Sequence, residues 1–144
     1  MVICLDTSAF VKPCLLETGS QVVSDLVSGQ SDPLPVWEIQ EMELSNALRL
    51  KVFWDEISVT DADHQLRLFN SRKERGLYYF PEIDRAVLSG SFQALSALIP
   101  RLGCRTLDIL HVACALQLRP DLFVTFYLRQ NSLAREAGLQ THLP

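Results

Sequence analysis

The sequence predicts an α/β fold, one domain over 1–144 with a central, mainly parallel sheet of four to five strands flanked by helices. Three observations predict it. Val2–Leu5 is a continuous apolar run ended by Asp6-Thr7-Ser8, the pattern of a strand buried on both faces that delivers a polar loop. Leu122-Phe123-Val124-Thr125-Phe126 is a second run of strand-forming residues. Between them lie long stretches with helical spacing, and strands separated by helices pair in parallel. A chain of 144 residues without repeat, linker or low-complexity tract has the size of a single domain.

The elements follow in order. After the first strand, Ala9-Phe10-Val11 continue into a short helix stopped near Pro13. Ser20 caps a helix whose apolar positions are Val22, Val23, Leu26 and Val27. Residues 29–33 form a loop, and Pro35-Val36 a second short strand. Over 38–53 the spacing predicts the clearest helix. Ile39, Met42, Ala47, Leu50 and Phe53 share one broad face, with Glu43 and Asn46 in or beside it. A helix over 61–76 carries Arg72, Lys73 and Arg75 at its basic end, and 77–80 is extended or loop. A helix over 84–98 ends at Pro100, and an apolar helix over 106–118 has Thr106 as its cap. The strand at 122–126, a helix over 131–137 closed by Gly138 and a last strand at 139–142 complete the chain.

Composition narrows the function. Hydrophobic residues make up 48% and charged ones 21%, which excludes global disorder. The formal charge of −4 excludes a simple polybasic nucleic-acid binder, although a nucleic acid remains a possible substrate where bound cations supply the positive charge. The N-terminus meets Asp6 without a basic start and long apolar region, so no signal peptide is expected. No apolar run reaches the ~20 residues of a membrane span. Cys4, Cys14, Cys104 and Cys114 form no Cys-x-x-Cys, and His64, His111 and His142 complete no zinc pattern. These are expected to be reduced thiols that fill core in a cytoplasmic protein.

Three acids stand where packing would prefer carbon. Asp6 follows four apolar residues, Glu43 interrupts an apolar stripe, and Asp108 opens a helix that is apolar almost all round. Each has an ordinary explanation alone: Asp6 as a helix cap, Glu43 as an edge acid, Asp108 as a first-turn acid favoured by the helix dipole. Together they suggest a shared cation, since an unpaired buried carboxylate is costly. An oxygen-only set selects Mg²⁺ or Mn²⁺. His111, one turn after Asp108, reads as an internally hydrogen-bonded helix residue.

Four segments carry a resemblance. Asp6-Thr-Ser-Ala-Phe-Val-Lys, Glu43-Leu-Ser-Asn-Ala-Leu, Arg105-Thr-Leu-Asp-Ile-Leu-His-Val-Ala-Cys-Ala-Leu and Phe123-Val-Thr-Phe-Tyr-Leu-Arg-Gln-Asn-Ser-Leu-Ala-Arg-Glu-Ala-Gly-Leu, in that order, resemble the PIN-domain nucleases. The closest group is the virulence-associated protein C (VapC) type of toxin ribonuclease. The resemblance implies a parallel sheet flanked by helices, an acidic Mg²⁺ or Mn²⁺ pocket, and hydrolysis of RNA by a metal-activated water. It implies that Asp6, Glu43 and Asp108 are the metal-binding acids, and that Thr7, Ser8, Asn46 and Thr125 are polar residues around the pocket. It also implies a cognate antitoxin, a homodimer, and contact with operator DNA only through the antitoxin.

One position departs. Where the family usually has Thr-Phe-Asp, this chain has Thr125-Phe126-Tyr127, so Tyr127 replaces the fourth acid. A phenol with an ordinary pKa near 10 is a poor ligand for Mg²⁺. The expectation is a one-metal site of reduced turnover, with a catalytically degenerate binding module as the alternative. Arg129 and Gln130, just past the pocket strand, are candidate RNA phosphate contacts. The apolar stretch 77–80 suggests a subunit contact or an antitoxin groove. A phosphatase on a similar scaffold would want Asp-x-Asp after the first strand, which Asp6-Thr7-Ser8 lacks.

Overall fold

A computed structural model of the chain describes residues 1–15 and 18–144. In chain order its elements begin β1 (Ile3–Leu5), α1 (Thr7–Val11), a 3₁₀ turn (Lys12–Cys14), α2 (Ser20–Ser28), β2 (Leu34–Pro35), α3 (Glu38–Phe53) and α4 (Val59–Glu74). They continue β3 (Tyr78–Tyr79), α5 (Arg85–Ser96), α6 (Ile99–Leu102), α7 (Thr106–Leu118), β4 (Leu122–Val124), α8 (Leu128–Glu136) and β5 (Thr141–His142). Among the described residues all strand pairing is parallel. The main sheet has the order β1-β4-β5, and β2 pairs separately with β3.

The expected sheet of four to five strands is therefore observed as three strands plus a separate pair. The chain chemistry explains the break. The N–H groups of Leu34 and Val36 both point to β3, donating to the carbonyls of Leu77 and Tyr79. Between them, Pro35 faces the other way and has no N–H to donate. On the opposing edge, the carbonyl of Leu5 accepts from the side-chain amide of the buried Gln40 instead.

Alternation along the strands splits the interior into two cores, one on each face of the sheet. Ile3, Leu5 and Val124 pack with Phe10, Val23, Leu44, Leu48 and Phe69. Cys4 and Phe123 pack on the other side with Trp37, Ile109, Val112, Cys114 and Leu133. Helices thus cover both faces, which is why β1 and β4 read as unbroken apolar runs. All four cysteines are free. Burial pushes the Cys4 thiol up to about 12 and Cys114 up to about 11, so neither is a nucleophile near neutral pH. No helix among the described residues is long and apolar enough to cross a membrane.

Several local expectations are corrected. The buried face of α3 runs through Gln40, Leu44 and Leu48, while Met42, Leu50 and Phe53 are exposed. Its apolar residues surround the helix, so spacing alone could not select the inward face. Gly19, not Ser20, caps α2, with φ +90°, and the Ser20 hydroxyl donates to the carbonyls of Lys12 and Leu15. Helix α5 ends at Ser96, and Pro100 lies in the first turn of α6, where its missing N–H costs nothing. Arg105, not Thr106, is the cap residue of α7. Helix α8 begins at Leu128 rather than Asn131. Its end matches expectation: Gly138 has φ +93°, and Leu139 N–H reaches back to Ala134 C=O. In the stretch 77–80, Tyr78 packs on Phe10 and Phe69, while Leu77, Tyr79 and Phe80 are exposed.

Candidate active site

The carboxyl ends of β1 and β4 deliver the site, as parallel sheets do. Asp6 is still in the ladder, its N–H donating to Val124 C=O at 3.0 Å. Its side chain turns onto α1, where Oδ1 accepts from the Ser8 hydroxyl at 2.6 Å and from Ala9 N–H at 3.0 Å. The cap reading and the site reading thus describe the same residue. Asp6 is only 1% exposed. Burial pushes its carboxyl above the usual range, and the groups that pull it back are Ser8, Ala9 and His111, with no Lys or Arg among them.

Helix α3 turns Glu43, Asn46, Ala47 and Leu50 toward the same space, an i, i+3, i+4, i+7 stripe. Glu43 Oε2 accepts from the Thr7 hydroxyl and pairs with His111 Nε2 at 2.6 Å. On the far side of the ring, Trp37 Nε1–H donates to His111 Nδ1 at 2.7 Å. An indole N–H only donates, so Nδ1 must accept and the proton of the neutral imidazole sits on Nε2, aimed at Glu43. Burial raises the Glu43 carboxyl, but the bonds from His111 and Thr7 outweigh it and hold the carboxyl below its usual range.

Helix α7 contributes Asp108, His111 and Arg105. Asp108 Oδ2 accepts the Arg105 backbone N–H at 3.1 Å, closing the first turn, and lies 3.4 Å from Arg105 Nε. The Arg105 guanidinium also sits over the Tyr127 ring, 5.7 Å from its centroid. Burial and the nearby charge of Asp6 raise the Tyr127 phenol above its ordinary value, so it is a neutral hydroxyl near pH 7.

Behind the pocket, Thr125 and Gln130 form a buried brace. The Thr125 hydroxyl donates to Gln130 Oε1 at 2.7 Å and accepts Tyr127 N–H, while Gln130 Nε2 donates to the carbonyl of Asp108 at 3.2 Å. The expected Gln130 phosphate contact is corrected accordingly: the residue is fully buried and its amide is committed on both sides. Arg129 is exposed, outside the pocket lining, and donates to Gly103 C=O. Ser8 also sits behind the pocket, bridging Asp6 and Phe126 N–H.

Asp6, Glu43 and Asp108 therefore line one open pocket of about 530 Å³, together with Thr7, Asn46, Arg105, His111 and Tyr127. Asp121 is at the opposite end of the sheet, bonded to Val2 N–H. The oxygen-only donor set suits a hard divalent cation in kind, and Asp6 is a buried carboxyl with no Lys or Arg against it. The acids are not drawn together: among the described residues no three Asp, Glu, His or Cys side chains form a group that could hold a metal ion. Glu43 is held by Thr7 and His111, and Asp108 by Arg105. Two residues of the site, Arg105 and Trp37, do not stand out in the sequence. Arg-x-x-Asp at a helix start was the available signal for the first, and nothing in the sequence links Trp37 to His111.

No protein-family model and no curated protein sequence matches the chain. The fold matches solved structures over nearly its whole length. It aligns with VapBC-1 from nontypeable Haemophilus influenzae at a TM-score of 0.67 and 14% identity, covering 99% of this chain and 98% of that one. It aligns with FitAcB from Neisseria gonorrhoeae at a TM-score of 0.66 and 16% identity, covering 97% and 96%. At such identity the likeness is one of fold. That fold agrees with the resemblance to VapC-type PIN domains read from the sequence.

Proposed function

We propose that the chain is a metal-dependent endoribonuclease, the toxin of a toxin–antitoxin pair. One observation carries the reading: acids from positions 6, 43 and 108, on three separate elements, line a single pocket at the carboxyl end of a parallel sheet. The VapBC-1 match adds to it, because its name joins a chain of the type this sequence resembles to a second component. Asp6, Glu43 and Asp108 would hold Mg²⁺ or Mn²⁺. When bound, such an ion lowers the pKa of a coordinated water and offsets charge on a phosphoryl oxygen.

The chain's own residues prepare the site. Thr7 and His111 both bond Glu43 Oε2, which fixes the carboxylate without neutralising it. Trp37 locks the imidazole tautomer that makes this possible. Thr125 and Gln130 tie the loop carrying Tyr127 to the start of α7, so the two sides of the pocket are held in register. We assign the partners by resemblance: an RNA substrate, a cognate antitoxin that blocks the pocket, and a second copy of the chain.

A second reading, a degenerate module that binds protein or RNA without cutting, is favoured by Tyr127 at the fourth-acid position and by Asp108 already paired with Arg105. RNA cleavage with Mg²⁺ or Mn²⁺ separates the two. Native protein should cut slowly, Tyr127→Asp faster, and Asp108→Ala not at all. Cleavage that survives Asp108→Ala removes the metal assignment, and no cleavage by native or Tyr127→Asp protein leaves the binding module.

A further inference from the structure

A fourth acid would add negative charge to this pocket; the chain instead brings a cation there. Arg105 lines the pocket with its side chain 77% exposed. Its Nε lies 3.4 Å from Asp108, a loose contact for an ion pair, and the planar guanidinium is steadied over the Tyr127 ring. A guanidinium presents five donors in a fork that fits two oxygens of one phosphate. Helices α7 and α8 begin beside it, at Arg105 and Tyr127; the Asp108 carboxylate closes the start of α7, whereas no side chain caps α8.

Building on the nuclease reading, we propose that Arg105 and the Tyr127 hydroxyl form a phosphate seat for the RNA backbone, supplying by hydrogen bonding the charge compensation that a second metal ion would otherwise give. Asp108 then has two states. It aligns the guanidinium in the structure seen here, and turns to the metal site once a phosphodiester occupies the fork.

The test uses the full chain and a short fluorescein-labelled RNA in EDTA, with fluorescence anisotropy read across a salt titration. Arg105→Ala should weaken binding about tenfold and lower the slope of log K against log salt by about 0.7. Arg105→Lys keeps the charge but loses the fork, so affinity should fall while the slope holds. Tyr127→Asp should weaken RNA binding in EDTA yet increase the thermal shift with Mn²⁺. Circular dichroism melts confirm that these exposed-site variants fold. If Arg105→Ala binds the RNA with native affinity and slope, the proposal is overturned even where native protein cleaves RNA. If native protein does not bind the probe, it is overturned too, and the cleavage assay then shows whether the nuclease reading falls with it.

Discussion

Asp6→Asn separates the cost of burying a charge from the use made of it. Asn has nearly the same shape, and its amide oxygen keeps the bonds from the Ser8 hydroxyl and Ala9 N–H, at 2.6 and 3.0 Å. What disappears is a titratable carboxyl that is 1% exposed, has no Lys or Arg beside it, and is raised above its ordinary range by burial. Relief of that burial is worth roughly 1–3 kcal/mol. For a domain of 144 residues, 1 kcal/mol moves Tm by about 3 °C. In EDTA at neutral pH the variant should therefore melt roughly 3–9 °C above native protein. A divalent ion should act in the opposite direction and narrow or reverse that gap. At a hundredfold excess over Kd it stabilises the native fold by about 2.7 kcal/mol, or about 8 °C, and gives the variant little. Thermal melts by circular dichroism in EDTA and in Mn²⁺ read both effects. A variant less stable than native in EDTA would show that the fold wants the charge for itself. A variant that keeps the full Mn²⁺ shift would remove Asp6 from the metal site.

Other outcomes follow from the same geometry. Because burial raises Asp6 above its ordinary 3.8, the folded chain holds a proton that the unfolded chain releases. Stability from this group is thus present at acid pH and lost as pH rises through the raised value. Glu43 is held below 4.5 and acts oppositely, contributing above that value and losing it as pH falls. In EDTA urea melts, the gap between Asp6→Asn and native protein should open as pH rises above about 4 and close below it. Trp37→Phe removes the donor to His111 Nδ1 and should cost about 1–3 kcal/mol. ¹⁵N spectra of the imidazole should show the native Nε2–H form losing its single-tautomer signature; an unchanged spectrum would contradict the tautomer lock. Gly19→Ala would put a methyl 2.5 Å from the Phe126 ring at a φ of +90°, and should destabilise by about 1–3 kcal/mol. Gly90→Ala, within α5 and with nothing within 4 Å, should stabilise by roughly 0.5–1 kcal/mol in the same melts.

Legibility in the sequence tracks burial on two faces. Strands β1 and β4 are covered by helices on both sides, so each appears as an unbroken apolar run, and Asp6 stands out as the first polar residue after one of them. The same criterion fails for α3. Its apolar residues ring the helix, and the position most deeply committed, Gln40, is polar because it serves the Leu5 carbonyl. Pro35 carried a readable signal that the sheet would divide, since a proline without N–H cannot extend a ladder toward β1. The convergence of Asp6, Glu43 and Asp108 was legible as three misplaced acids. The part played by Arg105 was not, because Arg-x-x-Asp at a helix start resembles any surface ion pair until the Tyr127 ring is found beneath it.

Manganese binding followed by electron paramagnetic resonance tests the central claim, that these three acids form one divalent-ion site. The account predicts one Mn²⁺ per native chain, affinity reduced about tenfold or more by Asp6→Asn, Glu43→Gln or Asp108→Asn, and native binding in Asp121→Asn at the far end of the sheet. Native protein that binds no Mn²⁺, or an Asp121→Asn variant weakened as much as the three pocket variants, would contradict it.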